Sequence, residues 1–573
     1  MAFSPTSLVD ILQWRSVNQP ERLAFRFLKD GEGEEELLSY RELDERAKSV
    51  AALLQASVNR GDRALLLFPA GFDFISAYFG CLYAGVIAIP IPPPHPARLQ
   101  KTMQPTLNIV ADAAPTVALM DATLFKAIKA SDIVMDQLDG VRLFVTDQDK
   151  IRSLVPRWKA PEFSVKDLAF LQYTSGSTTA PKGVMVSHGN LMHNLALIEK
   201  AFGVTHESHS VIWLPPYHDM GLIGGILQPV FTGFSATLMP HLMFLQRPVR
   251  WLRAISHYKA TVSGAPNFAY DLCARKVKPE ERSQLDLSHW EIAFDGAEKI
   301  YHQTLDQFAD YFQSSGFQKT AFAPCYGLAE GTLMVTAVSK GVLPAQLSVD
   351  KSALGKNRVV ELAVEDNTAE ILVSSGLGLS DQEVRIVNPE SLENCAPDEV
   401  GEVWVKGESI AWGYWRKATE TKAAFGAFTS DGAGPFLRTG DLGFTYDDEL
   451  YITGRLKNLL IIDGKNHYPQ DIERTVAEAH EAILPAGAAV FPLEQADMEK
   501  VVVLAEVHRK LESSSAEVKQ HILKAVSERH ELHAHDIKLM LPGSIPKTTS
   551  GKVKHFLCRQ QYVSGSLKEI DQL

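Results

Sequence analysis

ALLLFPA (residues 64–70), FDFISAYFGCLYAG (72–85) and VIAIPI (86–91) are the stretch whose reading decides the fold. A short apolar run gives way to a longer helical pattern and then to a second short apolar run. The same alternation recurs along the chain and predicts α/β architecture with mostly parallel strands. The proline-rich IPIPPPHPA (89–97) reads as a rigid, extended segment. Further out, LLIID (459–463), AAVFPL (488–493) and VVVLAEVHR (501–509) read as strands, with helices around 470–480 and 515–530. The expected organisation is a large α/β region of layered subdomains, residues 1–454, and a small α+β domain, 455–573, with the boundary near Gly454–Arg455.

With 573 residues the chain has room for several subdomains and a sizeable core. Apolar residues make up 45% and charged residues 22%, values that exclude disordered, collagen-like and coiled-coil classes. The net charge of −12 argues against nucleic acid as the main partner, because a phosphate backbone is held by a basic surface. Five widely spaced cysteines, Cys81, Cys273, Cys325, Cys395 and Cys558, form no CxxC or Cys/His cluster. A reducing cytoplasm is the natural reading. Met1–Asp10 lacks the basic and apolar regions of a signal peptide. Phe74–Ile89 is shorter than the roughly 20 residues that span a bilayer. Gly221–Gln246 is long enough, but Pro229, Gly233 and Pro240 break it, so no membrane span is expected.

Chemistry shows first in YTSGSTTAPKGV (173–184), directly after the strand-like Leu168–Gln172. Small residues let backbone N–H groups turn inward, hydroxyls add donors and Lys182 adds a cation, a combination suited to a polyphosphate. A flexible surface loop would have the same composition. The segment is not a Walker A loop, since Gly-x4-Gly-Lys-[Ser/Thr] is absent from the sequence. The order of the downstream motifs decides between these readings: LPPYHDMGLIGG (214–225), FDGAEK (294–299), PCYGLAEGT (324–332), GEVWVKGESIAWGYW (401–415), FLRTGDLG (436–443), GRLKN (454–458) and PKTTSGKVKH (546–555). Together with the phosphate loop, this set resembles the acyl-adenylate-forming superfamily of acyl-CoA synthetases, adenylation domains and luciferases. The resemblance runs from about Leu8 to about Lys568.

The resemblance implies ATP and Mg²⁺ as cofactors and assigns residues to them. Thr174, Ser175, Gly176, Ser177, Thr178 and Lys182 would surround the β- and γ-phosphates. Tyr326 and Gly327 would lie against adenine, with Gly296, Ala297 and Glu298 lining the same slot. Glu330 would be the metal ligand, a hard carboxylate for a hard ion. Asp441 would accept hydrogen bonds from both ribose hydroxyls, and Arg455 would reach the ribose or phosphates. Lys552, carried in on a mobile C-terminal domain, would stabilise charge at the α-phosphorus. His218 would gate the acyl site or contact the carboxylate, or be a structural histidine. The pivot would lie in Arg455–Asn458.

Within the superfamily the chain resembles fatty acyl-AMP ligases. The grounds are NHYPQDIE (466–473), Thr179 and Ala329 at positions where relatives more often carry Gly and Thr, and extra length between Met334 and Val373. That insert, about 336–370, contains KNRVVELA and NTAEILVS, which read as two short strands, hence a small surface hairpin or sheet. Leu222, Ile223, Ile226, Leu227 and Val230 would line an alkyl tunnel, although core packing explains the same pattern. The implied reaction is activation of a fatty acid to acyl-AMP, then transfer to the phosphopantetheine thiol of a separate acyl carrier protein. The alternatives are a fatty acyl-CoA synthetase and an amino- or aryl-acid adenylation enzyme.

Overall fold

In a computed structural model the deciding stretch forms the strand Arg63–Leu67, the helix Phe72–Ala84 and the strand Ile87–Pro90. The two strands pair in parallel, Leu65 opposite Ile89. Of the helix residues only Asp73 is exposed, as expected for an apolar helix sunk in a core. The structure describes residues 4–174, 181–366, 368–462, 465–495, 498–509, 514–547 and 551–570.

Two large sheets carry the region before Gly454. One has six strands and runs from Arg142–Val145 at one edge to Leu168–Thr174 and Lys182–Ser187 at the other. The second has thirteen strands. Its parallel block contains His209–Ile212, Val262–Ala265, Ile292–Asp295 and Phe322–Gly327, and an antiparallel part reaches Leu437–Tyr446 and Glu449–Arg455. Apolar faces of these sheets and their helices meet in two large cores, one around Phe25, Tyr78 and Phe170 and one around Trp251, Trp290 and Phe308. Residues beyond Leu460 enclose cores of their own, around Ile472, Val503 and Ile522 and around Phe491, Leu504 and Cys558. Their three-stranded sheet is Ile483–Gln495, Met498–Val507 and Ala534–Met540, flanked by the helices Pro469–Glu478 and Ser515–His530. Among the described residues no helix is long and apolar enough to cross a membrane.

The insert forms a small two-stranded sheet, but not between the two expected segments. Ala369–Val373 does form a strand, but its antiparallel partner is Gln346–Asp350, with Leu347 opposite Leu372. KNRVVELA makes only isolated bridges, such as Val349 with Glu361. Asp350 caps the short helix Lys351–Leu354, and Asn357 at φ 58° turns the chain out of line before Val359 can extend the ladder. Val359 and Leu372 are buried with Leu347, Val349 and Leu354 against Tyr451 and Tyr468, whereas Val360 is exposed.

Candidate active site

The parallel strands deliver their carboxyl ends to one cavity of about 1340 Å³. Tyr173 is the last residue but one of the strand Leu168–Thr174, Trp213 follows His209–Ile212, Asn267 follows Val262–Ala265, and Ala297 and Glu298 follow Ile292–Asp295; all line this cavity. Open α/β sheets bind ligands at this edge because helix N-termini and loop N–H groups converge there. Lys552, Lys554 and His555 close the cavity from the C-terminal side.

One end of the cavity is polar. The Asp441 carboxylate, buried, accepts from Tyr326 Oη at 2.8 Å and Arg455 Nε at 2.7 Å. This pair follows from strand register, because Asp441 and Arg455 sit opposite one another in the antiparallel pair Leu437–Tyr446 and Glu449–Arg455. The part of the strand before Asp441 is organised by the buried Glu402, which accepts from Arg438 Nε at 2.8 Å and from the Gly440 N–H at 3.0 Å. Glu330 lies across the chamber and accepts from Tyr414 Oη at 2.8 Å through Oε1, while Lys182 Nζ stands 4.7 Å from the centre of the Tyr414 ring. Glu298 accepts the Phe268 N–H at 2.7 Å.

The glycines of these motifs mark close backbone approach. A Cβ at Gly327 would stand 1.8 Å from the Leu333 carbonyl oxygen, and one at Gly296 would stand 2.8 Å from that of Cys325. Ala297 is held at φ 72°, a left-handed conformation that a non-glycine residue rarely adopts.

Lys552 is reached by solvent through the cavity yet ringed by protein. That enclosure, together with Arg455, pushes its ammonium below the usual lysine range, while Asp219, Glu298 and Asp441 favour its charge. Burial, then Lys552 and His241, push His218 down to about 4, so it is neutral at pH 7. Burial raises Asp219, against the Met220 N–H that donates to its Oδ1 at 2.8 Å.

The other end is apolar and is walled by Ile198, Phe202, Val204, Phe234, Val262, Phe294 and Met334. Phe202 and Phe294 stack on one another within this wall, their ring centroids 6.2 Å apart. Of the two readings of Leu222, Ile223, Ile226, Leu227 and Val230, core packing holds: all are buried in the main core and none lines the cavity. Met220–Leu227 winds as a π-helix, and the Gln228 N–H donates to the Ile223 carbonyl five residues back. Met220, Gly221, Gly224 and Gln228 line the cavity, and the branched residues lie on the opposite face of the segment.

The structure therefore gathers Lys182, His218, Ala297, Glu298, Tyr326, Gly327, Glu330, Asp441, Arg455 and Lys552 on one cavity, with Gly296 beside it. Ser175, Gly176, Ser177 and Thr178 lie outside the described residues, and of Thr174 the backbone closes the strand Leu168–Thr174. Sequence reasoning assigned no role to Tyr414, Glu402 or the tunnel residues. The first two lay inside the quoted GEVWVKGESIAWGYW, and only their contacts single them out.

A chamber that joins carboxylate, guanidinium and ammonium groups to an apolar tunnel suits an enzyme that brings a nucleotide and an apolar acid together. The chain belongs to the AMP-binding enzyme family, which it matches over residues 12–415, while residues 457–572 match the AMP domain of the Disco-interacting protein 2-like family. It is 43% identical to the medium-chain-fatty-acid–[acyl-carrier-protein] ligase JamA of Moorena producens over 98% of this chain and 96% of that one. It is 36% identical to the 4-hydroxyphenylalkanoate adenylyltransferase of Mycobacterium marinum over 100% and 93%. Its structure superimposes with TM-score 0.77 and 40% identity on the fatty acyl-adenylate ligase of L. pneumophila in complex with acyl adenylate and pyrophosphate, covering 99% and 97%.

Proposed function

We propose that the protein is a fatty acyl-AMP ligase that passes its acyl group to the phosphopantetheine thiol of an acyl carrier protein. The observation that carries this reading is the continuity of the Asp441–Arg455–Lys552 chamber with the tunnel walled by Ile198, Phe202, Phe234 and Phe294. Burying an alkyl chain there contributes about 0.8 kcal/mol per CH₂. ATP lies with its ribose on Asp441, its adenine against Tyr326 and the 296–298 segment, and its phosphates toward Lys182. The Glu330 carboxylate on the cavity wall suits Mg²⁺, which would offset phosphate charge. A fatty carboxylate oxygen forms a bond to the α-phosphorus as the bond to pyrophosphate breaks, and Lys552 donates to the oxygen that gains charge. The carrier thiolate then attacks the acyl carbon, and AMP leaves with its electron pair. For the second step Lys552 must withdraw, so residues 455–573 move as a domain on a pivot at Arg455–Asn458.

Mass spectrometry of products from ATP, mixed fatty acids, CoA and a phosphopantetheinylated carrier protein tests the reading. The expected product is the acyl-carrier thioester with little acyl-CoA; the reverse ratio would make the enzyme an acyl-CoA synthetase.

Two variants extend the test. A Cβ at Gly224 would meet only Leu333 Cδ2 at 3.8 Å, so the position opens toward the tunnel. Gly224→Leu should fold normally and lower adenylation of the longest accepted acids by about tenfold, with shorter ones spared, because its branch occupies the space of several CH₂ groups. An unchanged chain-length profile would place the acyl chain elsewhere. The insert docks on the segment beyond Arg455, where the Asn466 N–H donates to the Gly355 carbonyl at 2.7 Å and Asn466 Nδ2 donates to Asn357 at 2.8 Å. Replacing the insert by a tight turn should preserve acyl-AMP formation and raise acyl-CoA output about tenfold, since a restraint of about 1.4 kcal/mol shifts a population by that factor. A folded, adenylating deletion variant that makes no acyl-CoA would place the discrimination against CoA elsewhere.

A further inference from the structure

Lys299 follows directly on Glu298 at the cavity wall, and its ammonium leaves the cavity to join two other parts of the chain. Its Nζ lies 2.8 Å from Glu370 Oε1, on the insert strand Ala369–Val373, and 2.7 and 2.8 Å from the two oxygens of Asp471, in the first turn of the helix Pro469–Glu478. The lysine side chain is only 7% exposed. Exposed ion pairs contribute little, but a buried one is costly to break because each partner left behind is an unpaired charge. Here one ammonium serves two carboxylates. Burial and the neighbouring Glu370 hold the Asp471 carboxyl above the usual range. Burial also acts to raise Glu370, but Lys299 outweighs it and holds that carboxyl below the usual range.

The same helix makes further contacts on the residues just after Lys299. Tyr301 Oη donates to the Gln470 carbonyl at 3.3 Å, Arg474 Nη1 donates to Gln303 at 2.9 Å, and the Arg474 guanidinium lies 4.4 Å over the Tyr301 ring. Residues 299–303 thus form the landing site of the C-terminal helix. They continue the backbone of Gly296–Glu298, and Glu298 favours charge on Lys552.

We propose that Lys299 is a positioning residue for adenylation: it clasps Asp471 and Glu370 to the segment that lines the nucleotide slot, and so holds the C-terminal unit in the pose that places Lys552 in the cavity. The proposal rests on the two-step reading above. It goes beyond that reading in naming which contact selects the first pose. When the C-terminal unit swings away, Asp471 leaves, and Lys299 and Glu370 remain as a balanced pair, so opening strands no cation. Lys299 touches no reacting group and acts through Lys552.

The test measures both half-reactions on the full chain. Lys299→Met leaves two half-buried carboxylates facing each other in the closed pose. It should slow acyl-AMP formation by at least about tenfold, mainly in kcat, with ATP affinity within about twofold. Acyl transfer from supplied acyl-AMP to a carrier protein should be unchanged or faster. Lys299→Arg should restore much of the adenylation rate. The triple variant Lys299→Met, Glu370→Gln, Asp471→Asn, which leaves no carboxylate of the clasp without its cation, should recover part of the loss in Lys299→Met. Equal loss of both half-reactions with a lowered Tm would mean that Lys299 only supports the fold, and unchanged adenylation would mean that the clasp does not select the pose; either overturns the proposal. Failure of the underlying reading looks different, because the unmodified enzyme would then release no pyrophosphate with any fatty acid.

Discussion

Lys552→Ala should lower the rate of acyl-adenylate formation by roughly 10²–10³ while ATP still binds. A donor aimed at charge that develops only in the transition state contributes about that much. The surroundings of Lys552 fit such a role. It stands in a cavity shared with Asp441 and Arg455, where enclosure strengthens every charge interaction, and Asp219 and Glu298 favour its protonated form. Because enclosure and Arg455 lower its pKa, the ammonium is lost at a lower pH than for an exposed lysine. Adenylation should therefore decline as pH rises through that lowered value, and Lys552→Ala should remove this limb of the pH profile. The measurement is pyrophosphate release under saturating acid and ATP. A variant that releases pyrophosphate at the normal rate would remove Lys552 from the reaction.

Asp441→Asn should weaken ATP binding by about 1.5–3 kcal/mol, between roughly tenfold and a hundredfold, and leave fatty-acid preference unchanged. A carboxylate can accept from two ribose hydroxyls at once, whereas an amide offers one acceptor and one donor pair. The substitution also removes the charge opposite Arg455, whose Nε lies 2.7 Å from Asp441 Oδ1, so that guanidinium would lose its partner in the chamber. Tyr326 could still donate to the amide oxygen, which keeps the local packing. Calorimetric titration with ATP, with Tm followed alongside, reads the effect. Unchanged affinity together with an altered acid preference would show that the ribose lies elsewhere.

The parallel strands and the C-terminal strands at 488–493 and 501–507 were legible because short apolar runs flanked by helical patterns have few other folds available. The polar chamber was legible because each of its residues sits in a short motif. The tunnel was not. Helical spacing separates Met220, Gly221, Gly224 and Gln228 from Leu222, Ile223 and Ile226, but it does not say which of the two faces meets the cavity. The register of the insert was hidden by one turn at Asn357. The Lys299 clasp could not be read at all, since it joins residues 172 positions apart through tertiary packing and no local pattern records it.

The central claim is that a fatty carboxylate attacks the α-phosphorus of ATP and that a thiol then displaces AMP. The most direct test supplies a fatty acid labelled with heavy oxygen in its carboxylate, together with ATP and a phosphopantetheinylated carrier protein, and follows the label by mass spectrometry. The expected products are an acyl-AMP intermediate, followed by AMP that carries a single heavy oxygen from the acid and pyrophosphate that carries none. Label in pyrophosphate or inorganic phosphate, with unlabelled AMP, would contradict it.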